Sequence, residues 1–138
     1  MDEKEKKAQE LYMEFQMIEQ HIKQLQGQLE VITNQLIELN TTRNSLEEFN
    51  KINIDKGVFV PLSSGIFAKA KINDTSELIV NVGANVVVKK DIDSTKKLIQ
   101  NQIKEIKKIQ KQMIDNLEKM TNHAAQLEMR LQSLISEG

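Results

Sequence analysis

Two stretches of this chain repeat a residue stripe at alternating steps of four and three. The first runs Leu11, Phe15, Ile18, Ile22, Leu25, Leu29, Ile32, Leu36, Leu39, Arg43 and Leu46. The second runs Ile99, Ile103, Ile106, Gln110, Met113, Leu117, Met120, Ala124, Leu127, Leu131 and Leu134. Only Arg43 and Gln110 are polar in these two sets. The spacing averages about 3.5 residues, the period of a coiled-coil seam. The sequence therefore predicts helices over about 4–50 and 91–136. Each is several times the usual helix length of about 11–12 residues, so they must bury their stripes on one another. Pro61, the only proline, lies outside both runs, as a long helix requires. Asp91 or Asp93 is placed to cap the second helix.

Between the stripes the period changes to two. Val58 to Leu62 and Ile66 to Ile72 alternate around the turn residues Ser63, Ser64 and Gly65. Leu78 to Val82 and Val86 to Val88 alternate around Gly83, Ala84 and Asn85. These are two β-hairpins within 57–90. Phe59, Phe67, Ile79 and Val87 fall on the face opposite Val58, Ile66, Val80 and Val86, so both faces are apolar. Four short strands cannot cover two faces or close their own edges. The expected fold is α+β, one domain over 1–138: a long antiparallel two-helix coiled coil with two β-hairpins at its base. The hairpins are expected to form a β-barrel shared between subunits. The oligomerisation residues are Val58, Phe59, Val60, Ile66, Phe67, Ile79, Val80, Val82, Val86, Val87 and Val88.

Helices joined through a hairpin region run antiparallel, and an a position then faces a d position. Equal arms place Phe15 near Leu127, Ile22 near Met120 and Leu46 near Lys96. The flanking positions in that register bring Glu14 to Arg130 and His21 to His123. Apolar residues off the seam include Tyr12, Met13, Met17, Met129 and Ile135, all near the free end of the arm. An exposed apolar patch marks an interaction surface, and methionine adapts to partners of different shape.

Composition excludes several function classes. There is no cysteine, hence no disulfide frame or thiol chemistry, and the chain is compatible with a reducing cytoplasm. No apolar run approaches the roughly 18 residues of a membrane span. The charged, non-apolar start is not that of a secretory signal. The formal net charge is -1, which gives no global drive toward nucleic acid. Lys96, Lys97, Lys104, Lys107, Lys108 and Lys111 form a basic face that reads as solvated and balanced by Glu30, Glu38, Glu47 and Glu48. No phosphate loop, catalytic constellation or metal set is present, although His21 and His123 would need Glu19 or Glu128 to hold an ion. No cofactor is expected.

The stretch from Val58 to Ala70, with its Val60-Pro61-Leu62 turn, resembles the alpha class of the prefoldin family. So does Val80 to Asp91, with Val82-Gly83-Ala84 before an apolar strand. The flanking coiled coils extend the resemblance over almost the whole chain, and two hairpins rather than one favour the alpha class over the beta class. Ser63 and Ser64 depart from the glycine usual in the first turn. The resemblance implies an archaeal-type, ATP-independent chaperone in a hexamer of two alpha-class and four beta-class subunits. It implies that non-native proteins are held at the coil ends and passed to a group II chaperonin. The client-binding residues carried over are Leu11, Tyr12, Met13, Phe15, Met17, Met129, Leu131, Leu134 and Ile135. No nucleic acid and no membrane partner is implied.

Overall fold

The computed structural model describes residues 2–52 and 54–136; residues 1, 53, 137 and 138 lie outside this description. The element order is α1 (Glu3–Asn50), β1 (Gly57–Ser63), β2 (Ile66–Lys71), β3 (Leu78–Gly83), β4 (Val86–Lys90) and α2 (Ile92–Ser136). The chain divides into two compact units. One holds α1 up to Leu36 and α2 from Ile106 onward; the other holds residues 37–105 with all four strands.

In the first unit the two helix segments form the expected coiled coil. Every seam position from Leu11 to Leu36 and from Ile106 to Leu134 is buried or half-buried, and Leu127 is only 1% exposed. Most seam residues are half-buried rather than buried because a helix with a single neighbour has one covered side. The Gln110 side-chain amide donates to Thr33 Oγ1 at 3.3 Å, which ties the middle of the register. That contact agrees with pairing Phe15 with Leu127. Gly27 faces open space, so its cost is helix propensity alone. Asp2 caps α1: its Oδ1 accepts from Glu5 N at 2.8 Å.

In the second unit, α1 ends in a tightened turn, where Lys51 N donates to Glu48 O and Ile52 N to Phe49 O. Asp55 takes a left-handed φ of 68°, and its N–H donates to Ile72 O at 3.0 Å. The entry to β1 is thereby tied to the exit of β2.

β1 and β2 pair antiparallel, as do β3 and β4, in two separate two-stranded sheets. The register puts Val58 opposite Ala70 and Val60 opposite Ala68 on one face. Phe59 opposite Lys69 and Pro61 opposite Phe67 lie on the other. In the second hairpin Val80 faces Val88 while Ile79 and Val87 lie on the reverse side. The pairing slips by one residue between Pro61 and Ser63 and again between Asn81 and Gly83. The bulge beside Pro61 is where a missing N–H does least harm. Ala84 and Asn85 carry φ of 52° and 60°, the double left-handed turn that suits strand twist. Asn81 Oδ1 accepts from Gly83 N at 2.9 Å and braces this turn.

Asp91, not Asp93, is the cap of α2. Its Oδ1 accepts from Ser94 N at 2.7 Å, and this bond holds the carboxyl below the usual value of 3.8. Its carbonyl also accepts from Thr95 Oγ1 at 2.7 Å, so the buried Thr95 has a partner. Asp74 is lowered for the same reason, by the N–H of Ser76.

Candidate functional site: exposed apolar surfaces of the coil and hairpins

The nine residues expected at the coil end divide by heptad position. Leu11, Phe15, Leu131 and Leu134 belong to the seam: Leu11 is buried and the other three are half-buried. Tyr12, Met13, Met17, Met129 and Ile135 are exposed, each by more than half. Met13 and Met17 are four residues apart, so they form one ridge on the outer side of α1. Tyr12 and Ile135 occupy e positions and flank the seam. Met129 lines an open groove with Lys7, Leu11, Gln126, Arg130, Ser133 and Leu134. The closed coil therefore still offers two seam residues, Leu11 and Leu134, to a ligand lying in this groove.

A second groove was not foreseen from the heptads. Phe15, Ile22 and Ala124 line it together with Glu19, Lys23, Gln26, Thr121, Ala125 and Glu128. It exists because Ala124 and Ala125 put two short side chains side by side where larger residues would fill the space. The adjacent alanine pair is the signal that could have located it.

One electrostatic expectation fails. Glu14 does not pair with Arg130. Its Oε1 lies 3.4 Å from His123 Nε2, and Arg130 lines the groove beside Lys7. The same two helix flanks meet, but one heptad away, because long half-exposed side chains choose among neighbours at little energetic difference. His123 is thus engaged by Glu14 rather than by His21. Among the described residues, no three histidine or carboxylate groups converge on a metal position, and Glu14–His123 is the one contact between an acidic and a basic side chain. Among the described residues no α2 lysine lies within ion-pair distance of a glutamate of α1.

The hairpin residues form the other surface. Phe59, Leu62, Ile66, Phe67, Ile79, Val82, Val86 and Val87 are exposed, with Phe59 at 72% and Ile79 at 74%. Val58, Val60, Val80 and Val88 are half-buried. Each two-stranded sheet also leaves the outer backbone groups of both strands unpaired.

The comparisons with known proteins agree with this architecture. A family profile described as "Prefoldin subunit" matches residues 18–137. The chain belongs to the prefoldin family. Prefoldin subunit alpha of Pyrococcus horikoshii is 30% identical over 137 residues, covering 96% of this chain and 92% of the relative. Prefoldin subunit alpha of Methanobrevibacter smithii is 26% identical over 133 residues, covering 96% and 90%. In structure the chain is similar to filamentous prefoldin from Methanocaldococcus jannaschii, with a TM-score of 0.62 and 18% identity, covering 90% of this chain and 97% of that one. Helix, two hairpins, helix is therefore the prefoldin arrangement, and the resemblance to archaeal alpha subunits holds along the chain. Prefoldins are chaperones that work as oligomers, not an enzyme class. No helix among the described residues is long and apolar enough to cross a membrane.

Proposed function

We propose that this chain is the alpha-class subunit of an ATP-independent holdase that grips non-native proteins with the end of its coiled coil where α1 begins and α2 ends. The observation that carries the reading is the gathering of Tyr12, Met13, Met17, Met129 and Ile135 at that end, all exposed and none held by the seam, against Val31, Ile37, Ile109 and Ile114 spread over the rest of the two helices. Unfolded chains present apolar segments without fixed shape, and flexible thioethers fit such ligands. Each contact is weak, so several arms must act together to supply avidity. The groove through Met129, Leu11 and Leu134 supports the same reading, since it leaves apolar seam atoms within reach of a bound segment.

Assembly with four beta-class subunits, two alpha-class chains to the hexamer, would supply the other arms. The unpaired hairpin edges and their two apolar faces are suited to that role. Delivery to a group II chaperonin in the cytoplasm completes the proposal, and membership of the prefoldin family supports it.

The test replaces Tyr12, Met13, Met17, Met129 and Ile135 together by serine. Suppression of aggregation of a denatured client should fall at least about tenfold, as expected when many weak contacts are removed at once. Sedimentation should show the same assembly. Full protection by this variant would refute the reading. Saturable binding to one native protein, with no preference for unfolded clients, would instead make the coil an adaptor.

A further inference from the structure

Sulfur in this chain is confined to methionine, since there is no cysteine. Among the described residues its thioethers fall into two environments. Met113 and Met120 are half-buried in the seam. Met13, Met17 and Met129 stand 64%, 59% and 68% exposed. Those three share one end of the coil. Met13 and Met17 sit on adjacent turns along the outer side of α1, and Met129 sits on α2, in the groove that Leu11 also lines.

We propose that Met13, Met17 and Met129 form a reversible oxidation site that lowers client binding when the cell meets peroxide. The inference rests on the holdase reading of this surface. In each step a thioether sulfur attacks one oxygen of hydrogen peroxide. The O–O bond breaks, an S–O bond forms, and the departing hydroxide takes up the remaining proton as water. The sulfur loses two electrons to the peroxide. The product sulfoxide is polar and a strong hydrogen-bond acceptor, so it does not favour contact with an apolar segment. A methionine sulfoxide reductase returns the thioether, two thiols becoming a disulfide and the oxygen leaving as water. The seam methionines are shielded by the packed coil, so oxidation leaves the coiled coil itself standing.

The experiment uses the full chain in its assembled form. Limiting hydrogen peroxide is added, oxidation is located by peptide mass mapping, and protection of a denatured client is measured. Met13, Met17 and Met129 should oxidise ahead of Met113 and Met120. Protection should fall several-fold with sedimentation unchanged, and methionine sulfoxide reductases A and B with dithiothreitol should restore it. M13L/M17L/M129L, whatever its protection before treatment, should keep that protection when peroxide is added. Prior oxidation of Met113 or Met120, undiminished protection after oxidation of the three, or equal peroxide sensitivity of the leucine variant would each overturn the proposal. M13Q/M17Q/M129Q separates the two readings. Should it protect fully, the apolar coil end is not where clients bind. Should it fail while the oxidised native protein still protects, only the oxidation proposal falls.

Discussion

The hairpins and the terminal part of the coil both expose apolar side chains, but over different backbones. Under Met13, Met17 and Met129 the main chain is helical, and its hydrogen bonds are satisfied within the helix. Under Phe59, Ile79 and Val87 the main chain is a two-stranded ladder with free donors and acceptors along both sides. A partner on the hairpins must supply a strand in register, because a slip by one residue exchanges the two faces. A partner on the coil needs only apolar atoms of roughly suitable size. On the proposed function, the first surface would select one neighbour and the second would tolerate many. A single polypeptide would then separate specific assembly from unspecific binding by the kind of backbone that carries the apolar groups.

The largest effect that would break this contrast comes from the hairpins. V80D/V88D puts two carboxylates opposite each other on the half-buried face of the second hairpin. Assembly should be lost entirely, with the protein sedimenting as a single chain while the helical signal of circular dichroism persists. An intact oligomer would mean that the hairpins do not select the partner. The five-site serine variant is the reciprocal experiment, expected to lose protection and keep its assembly.

A smaller effect sharpens the coil side. Gln110→Leu replaces one of the two polar residues of the seam and removes the bond to Thr33. Thermal stability should rise by the equivalent of about 1 kcal/mol, the scale of one modest hydrogen bond exchanged for apolar packing. Cross-linking between cysteines introduced at positions 15 and 127 should at the same time become less selective over neighbouring pairs. A drop in stability would show that this pair holds the coil together rather than merely setting its register.

The smallest effect concerns the entry to α2. The Asp91 carboxyl is held below its ordinary value by the Ser94 N–H, so the capped fold is favoured at any pH above the unfolded value of about 3.8. That contribution disappears as pH falls through the lower folded value. Asp91→Asn keeps an acceptor but removes the charge. In thermal melts between pH 2 and 5, the variant should show a shallower acid loss than the native chain. Identical pH profiles would remove Asp91 from the account.

Much of this was legible in the residues, and the reasons differ by element. The seam was legible because burial alone selects it: all positions from Leu11 to Leu46 and from Ile99 to Leu134 are buried or half-buried. The two-faced hairpins were legible because side chains alternate strictly along a strand, so Phe59 and Val58 cannot share a face. Glu14's partner was not, because the choice between Arg130 and His123 rests on exposed charges whose energies differ little. Nor was the Phe15–Ile22–Ala124 groove, which depends on volume left empty rather than on a repeating pattern. The choice of Asp91 over Asp93 as cap turned on one hydrogen bond to Ser94.

The unclosed sides of the hairpins carry a consequence for the cell. Under the proposed assembly, ladders that end in open donors and acceptors would draw part of their stability from a partner's strands. The chain's apparent stability then becomes a function of how much partner is present, because every binding event is also a folding term. Synthesis in excess of that partner would leave adhesive strands at large, so matched supply of subunits is as much a requirement of this polypeptide as any residue within it.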